Sequence, residues 1–297
     1  MMKPLIIDVL CVGQATYDLI FSVATHPTEN EKIFADNVLS CGGGPAANAA
    51  VMVAKLGFSV AFAGRLGRDG HGEQHLQELL AYGVNTQLIV RDASPTPLSA
   101  VLVKPNGDRA LINYKGAGQA LAADCIDFSV LQPKVVLFDG HEPLISAALL
   151  KQTRQRGIIS VLDAGSVHEG TLALMREVDY LVCSEKFALQ YAGDEHTALL
   201  RLAEFSPAVV ITLGERGVIW QRGTERGALA AFVVNALDTT GAGDAFHGAF
   251  AGALTTPLSW LEILRYASAA GSLCCTQMGA RLGLPNRTEH LALWQSC

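Results

Sequence analysis

The chain has 297 residues, half of them apolar, and carries a formal net charge of −6. That length and apolar content suit one large α/β core, and the acidic balance supplies no basic field of the kind nucleic-acid binders need to displace phosphate counterions. No run of about eighteen apolar residues occurs, so no membrane span is expected.

Residues 6–12 read as a first buried strand. Asp8 interrupts the run and no small-residue cleavage site follows, which argues against a secretory leader. Residues 14–40 alternate polar and apolar positions with turn signals, and residues 96–115 do the same around Pro105-Asn106-Gly107-Asp108, whose turn chemistry predicts a hairpin. These two stretches are expected to form a small antiparallel sheet projecting from the core. Helices are predicted at about 45–56 and 70–82. From residue 130 the pattern becomes regular: apolar runs at 134–138, 158–163, 180–183 and 209–212 alternate with helical stretches such as 143–156 and 185–192. Continuous apolar strands separated by helices indicate a parallel sheet covered on both faces. Two further helices are predicted at 241–256 and 258–276. The seven cysteines, at 11, 41, 125, 183, 274, 275 and 297, form no metal-ligand or CxxC spacing and read as reduced, mostly buried thiols of a cytoplasmic protein.

The strongest chemical signal is Asp238-Thr239-Thr240-Gly241-Ala242-Gly243-Asp244. Its small residues let the backbone approach a ligand and open onto a helix, whose N–H groups and dipole make an anion site. Asp244 falls in the first turn, pointing away from the stripe of Ala245, Ala249 and Ala253, and so toward a cleft. There a carboxylate can take a proton from a hydroxyl while the N–H groups hold a transferred phosphoryl group. An ordinary N-capping aspartate is the plainer alternative. A second glycine run, Gly42-Gly43-Gly44, leads into Pro45-Ala46-Ala47-Asn48-Ala49-Ala50, where Asn48 is the lone polar side chain. A buried amide without partners costs about 1–3 kcal/mol, so Asn48 should bond a substrate hydroxyl or a neighbouring backbone carbonyl. Asp18 follows the first strand and lies where open α/β sheets bind ligands, beyond a strand's carboxyl end, unless it is a solvated loop residue. The turn Thr212–Gly217, at another strand end, suits a nucleotide. His71 and His75, at i and i+4, lack a third ligand and the zinc-protease glutamate placement, and so read as part of a surface helix. Neither a Walker A motif nor a complete dinucleotide fingerprint is present.

Together GGGPAANAA (42–50) and DTTGAGDAFHGA (238–249), about 190 residues apart and in order, resemble the two signatures of the PfkB, or ribokinase-type, carbohydrate kinases. The likeness runs along the whole chain, through GRLGRDGHG (64–72), the hairpin and the TLGERG turn. It implies a ribokinase-like α/β fold, a single domain over 1–297 with lid segments at about 14–40 and 96–115, and a phosphotransferase acting on an alcohol group with ATP and Mg2+. By similarity Asp244 is the base and Gly241, Ala242 and Gly243 form the anion hole. Asp18, Gly43 and Asn48 would bind the sugar, and Thr212, Gly214, Gly217 and Ser184 the nucleotide. A monovalent cation such as K+ would sit at Asp238, Thr240, Ala280 and Gly283, and lid strands would pair in a homodimer. Gly44-Pro45 replaces the lysine of ribokinases proper, and Ser184-Glu185-Lys186-Phe187 replaces their NxxE motif. The chain is most similar to sulfofructose kinases and ketohexokinases, with Lys32 and Asn113 in matching segments, but His141 stands where the former carry a sulfonate-binding arginine. A ketose-like acceptor is therefore expected. The alternatives are ribose or a nucleoside as acceptor, or a sugar-binding sensor without catalysis.

Overall fold

The computed structural model describes residues 4–116 and 118–296; Cys297 lies outside them. Its strands are β1 (Leu5–Val12), β2 (Thr16–Ser22), β3 (Asn37–Gly43), β4 (Val60–Gly67), β5 (Asn85–Asp92), β6 (Leu98–Val103), β7 (Arg109–Tyr114), β8 (Leu131–Phe138), β9 (Ile159–Ala164), β10 (Tyr180–Ser184), β11 (Ala208–Thr212), β12 (Val218–Arg222) and β13 (Glu225–Leu229). The helices are α1 (Pro45–Lys55), α2 (Gly70–Ala81), α3 (Pro143–Arg156), α4 (Glu169–Leu174), α5 (Glu185–Ala192), α6 (Glu195–Ala203), α7 (Ala242–Ala253), α8 (Trp260–Cys274), α9 (Ala280–Gly283) and α10 (Arg287–Trp294).

Nine strands form the main sheet in the order β13-β12-β11-β10-β9-β8-β1-β4-β5. The seven from β11 to β5 run parallel, and β12 and β13 add an antiparallel edge. Alternation along β1 explains its unbroken apolar run: Val9 and Cys11 belong to one core cluster, Leu10 and Val12 to the other. Helices α1, α2, α7 and α8 cover the first face and α3–α6 the second, as parallel sheets require. The chain builds β4 and β5 on one side of β1, then returns to place β8 on the other. That reversal creates a crevice beyond the carboxyl ends of β1 and β8, the usual ligand position in such sheets.

The small sheet has the order β3-β2-β6-β7. Its outer pairs are antiparallel, as expected, but the central pair β2·β6 is parallel. Two hairpin-like units from distant parts of the chain meet side by side, an arrangement that local turn chemistry does not specify. Ile20, Cys41, Val101 and Val103 give it a minor core, with Met278 packed beneath. Among the described residues, Cys11, Cys41, Cys183 and Cys274 are buried, Cys275 is half-buried, Cys125 is exposed, and all six are free thiols. No helix among those residues is long and apolar enough to cross a membrane.

Helices α1 and α7 carry the two glycine-rich motifs and pack backbone to backbone. A Cβ at Gly248 would lie 2.6 Å from the Ala49 carbonyl oxygen and 2.9 Å from the Met52 side chain. Replacing a helix-interior glycine by alanine ordinarily gains about 1 kcal/mol, whereas forcing a methyl group into a filled contact costs about 1–3 kcal/mol. We expect the steric term to win at this position. Gly248→Ala should lower the urea midpoint at unchanged m-value, and a raised midpoint would contradict the close-packed crossing.

Candidate active site

The α1–α7 crossing brings the two motifs into contact. Gly241 caps α7 with φ +79°, a left-handed conformation that suits glycine. A Cβ there would strike Ala280, at 2.6 Å. Asp244 occupies the first turn of the helix. The Ala245 N–H is bonded back to the Gly241 carbonyl, and the Ala242 N–H makes only a long 3.3 Å bond to Thr239. The other N–H groups of that first turn have no intrahelical partner and belong to the same turn as Asp244.

Asp244 borders a cavity of about 130 Å3 at the carboxyl edge of the sheet. Gly243, His141, Ser184 and Thr212, all expected at the site, line it as well. So do Asp139, Asp163, His168 and His247, which sequence reasoning did not single out. The only signal for the two aspartates was their position at the end of an apolar run, and that is also where many turn residues fall.

Asp139 follows β8 and ties three segments together. Its carboxylate accepts from the N–H groups of Gln14 (2.8 Å), Ala46 (3.2 Å) and His141 (2.8 Å). The crevice between β1 and β8 is thus closed by one side chain, which also seats the start of α1. Asp163, on β9, lies 3.3 Å from His247 Nδ1. That nitrogen is also 2.6 Å from the Gly243 carbonyl, while Nε2 is 3.2 Å from the Val182 carbonyl. Burial pushes the His247 pKa down, so the ring carries one proton. The shorter contact and the Asp163 carboxylate together place that proton on Nδ1. His247 in this way ties the first turn of α7 to the sheet.

Burial, reinforced by Asp163, raises the Asp244 pKa to about 7, against the lowering effect of a hydrogen bond from Asn48. Asp163 is likewise raised to about 7, by burial and then by Asp139. The two carboxylates titrate as a coupled pair.

Asn48 does not bond the neighbouring backbone carbonyl that was one expectation for it. Nδ2 donates to Asp244 Oδ2 at 2.7 Å, and Oδ1 accepts from Arg281 Nε at 3.0 Å. Asp18 is not on a loop after β1. It sits within β2 on the inner face of the small sheet, 9% exposed, and burial raises its pKa. A Cβ on Gly43 would collide with its carboxylate. Across the strands Asp18 pairs with Ser99, and Ser99 with Asn113, so the three form one polar row. Ser99 was not foreseen, because a serine in an alternating strand carries no signal of what lies opposite. Lys32 is exposed on the β2–β3 loop, above the Phe34 ring, and is not part of the cavity wall.

Of the residues expected at the nucleotide, Ser184 caps α5 by accepting from the Phe187 N–H and donates to the Gly165 carbonyl, joining the ends of β9 and β10. Thr212 ends β11, and Gly214 and Gly217 form the tight turn into β12 with positive φ. Arg216 fastens that turn to Glu185 and Glu195. His75 is fully buried, contrary to the surface-helix expectation, and contacts Arg281. Among the described residues no group of three His, Cys, Asp or Glu side chains could hold a metal.

The residues expected to hold a monovalent cation do come together, and the Asp238 carboxylate among them already has donors. Asp238 accepts from Thr240 N–H and hydroxyl and from Gly279 N–H, and the Arg109 guanidinium contacts both Asp238 and Thr240. The Ala280 carbonyl faces the Cys274 thiol, and a Cβ on Gly283 would strike the Cys274 carbonyl. The Asp238 carboxylate is thus held by protein donors on both oxygens.

The match to known proteins agrees with this geometry. A profile described as pfkB family carbohydrate kinase covers residues 7–287. The chain belongs to the PfkB family of carbohydrate kinases. Ribokinase of Bacillus subtilis is 28% identical, with 95% of this chain and 97% of the relative covered. Fructokinase-2 of rice is 29% identical, with 82% of each covered. The structure of Arabidopsis thaliana ribokinase complexed with ribose and ATP superposes with TM-score 0.86 at 28% identity over 100% of both chains. The ribokinase-like fold, ATP dependence and an alcohol-accepting phosphotransferase activity follow for this chain.

An ionised Asp244 is required of a base, so kcat/KM should fall as pH drops through about 7. Asp163 raises the Asp244 pKa, so Asp163→Asn should move that acid limb downward. A pH–rate profile measures both, and an upward or absent shift would contradict the coupling.

Proposed function

We propose that the enzyme transfers the γ-phosphoryl group of ATP to a hydroxyl of a small neutral sugar held between the Asp18–Ser99–Asn113 row and the carboxyl edge of the main sheet. The observation that carries the reading is Asp244: one carboxylate oxygen is fixed by Asn48, and the carboxylate stands beside the open N–H groups of α7 on the cavity wall. The acceptor hydroxyl gives its proton to Asp244 as its oxygen attacks the γ-phosphorus, and the bond to ADP breaks in line. The first-turn N–H groups of α7 hold the equatorial oxygens while charge develops there. The Thr212–Gly217 turn and Ser184 receive the nucleotide. Mg2+ would supply charge neutralisation when bound to the phosphates. The small sheet serves as the lid that excludes water.

Names among the relatives divide between ribokinases and fructokinases, so ribose and ketohexoses are both in the acceptor class. An anionic tail finds poorer support. His141 is stacked on His168 at 4.7 Å, and burial and then His141 push the His168 pKa down, while Lys32 lies off the cavity wall. Such groups are weak anion partners compared with a guanidinium. In an ADP-release panel of ribose, fructose, a nucleoside and 6-deoxy-6-sulfofructose, a neutral sugar should lead by at least about tenfold, the scale of one lost charge-assisted contact. A faster sulfosugar, slowed selectively by Lys32→Ala or His141→Ala, would reverse this assignment. Asp244→Asn should slow turnover by roughly 10^2–10^4-fold on every acceptor with folding unchanged; undiminished turnover would remove Asp244 from the reaction, and ligand-induced stabilisation without ADP would favour a sensor.

We also propose a homodimer through the outer face of the small sheet. Val38, Ile112 and Tyr114 share that face by strand register and are 54%, 70% and 50% exposed. A second copy is the occupant that continuity with the lid favours. Ile112→Glu should convert the sedimenting species to monomer, and an unchanged sedimentation coefficient would exclude this face.

A further inference from the structure

Arg281 is the largest fully buried side chain in the protein, with no solvent exposure. Its guanidinium has partners on two helices. Nε donates to Asn48 Oδ1 on α1 at 3.0 Å, Nη2 meets His75 Nε2 on α2 at 3.2 Å, and Nη1 lies 3.3 Å from Glu78 Oε1, also on α2. The second oxygen of Glu78 accepts from the Gly42 N–H at 2.6 Å. An arginine buried only to stabilise would be an expensive choice, because ion pairs in the interior seldom outperform apolar packing. Its place in the chain of contacts suggests a different use.

We propose that Arg281 is a positioning residue for the proton acceptor, fixing which way the Asn48 amide faces and thereby which oxygen of Asp244 remains for the substrate. An asparagine amide has an acceptor end and a donor end, and rotation by half a turn exchanges them. A guanidinium can only donate. Asn48 must therefore turn Oδ1 toward Arg281, which leaves Nδ2 to donate to Asp244 Oδ2. With that oxygen occupied, Oδ1 of Asp244 is the site left for the incoming hydroxyl proton. The same donated bond favours the ionised carboxylate and opposes the groups that disfavour it. Those facing Asp244 are Asp163 on β9 and Asp139 after β8, with His247 on its own helix acting the other way and the Cys274 thiol on α8 close by. The inference rests on the assignment of Asp244 as the base. It goes further in assigning a role to a residue that touches neither substrate.

Two measurements test it. In the intact protein, the side-chain amide protons of Asn48 in a 1H–15N spectrum should shift with pH at the midpoint of the kcat/KM acid limb. That shift should vanish in Asp244→Asn; an Asn48 amide that ignores pH would overturn the proposal without any Arg281 variant. The second is the pH profile of variants. Asn48→Leu, and Arg281→Met combined with Glu78→Gln so that no buried charge is orphaned, should each move the acid limb upward by roughly one pH unit, the scale of a lost hydrogen bond to the charged form. Arg281→Lys keeps a donor and should move it less. A lowered kcat with an unmoved acid limb in both variants would make Arg281 merely structural and overturn the inference. Wild-type-like turnover in Asp244→Asn would instead defeat the base assignment, so the two failures can be told apart.

Discussion

A 2.7 Å hydrogen bond joins Asn48 to Asp244 across 196 positions of sequence, and most of the site's geometry depends on it. It can form only because α1 and α7 approach closely enough for Gly248 to lie against the Ala49 backbone. The alanine content of α1 and the small residues of α7 serve that approach; bulkier side chains would separate the helices and leave Asp244 with a partner out of reach. Asp139 sets the same crossing from the other side, since it seats both the end of β1 and the first turn of α1. The fold and the reactive carboxylate are therefore held by shared contacts, and displacing either helix disturbs both.

Electrostatics follow from that enclosure. Three carboxylates meet at one edge of the sheet, and burying charge without compensation is costly. Asp139 is compensated by three backbone N–H groups. Asp163 and Asp244 are compensated less, and their pKa values rise to about 7 as a result. Because these folded-state values exceed the ordinary carboxylate value, the unfolded chain holds fewer protons between about 4 and 7. The two groups therefore favour the folded state at the acid end of that window and cost stability as pH rises through it. On the role proposed for Asp244, that penalty accompanies a carboxylate poised near neutrality, where a general base works best. The hydrogen bond from Asn48 keeps the Asp244 value from rising further.

The layered fold was legible because β strands buried on both faces need apolar residues at every position, which leaves an unmistakable run. Both glycine motifs were legible as well, since small residues before a helix have few other uses. Harder to see was everything defined by a partner elsewhere in the chain. Arg281 in GARLG looks like a surface charge until Asn48, 233 residues away, meets it. Asp18 stood out by its place after the first strand, but its neighbours Ser99 and Asn113 did not, since their register beside it exists only because β2 and β6 pair in parallel. Asn48 was recognised as needing partners, yet which partners depended on helix packing that no local pattern encodes.

The polar row also bears on the acceptor. Asp18, Ser99 and Asn113 present one carboxylate, one hydroxyl and one amide along a single line across three strands, a set that can both donate and accept. Successive hydroxyl groups of a sugar need that mixture, whereas an anionic group needs concentrated positive charge. Arg281, the strongest fixed cation near this face, is turned inward onto Asn48, His75 and Glu78. Its charge tempers Asp18 from behind and does not reach into the cleft as a ligand. An arginine that could have bound an anion is thus committed to Asn48, His75 and Glu78, and on the function proposed above the row left for the acceptor is one suited to hydroxyls.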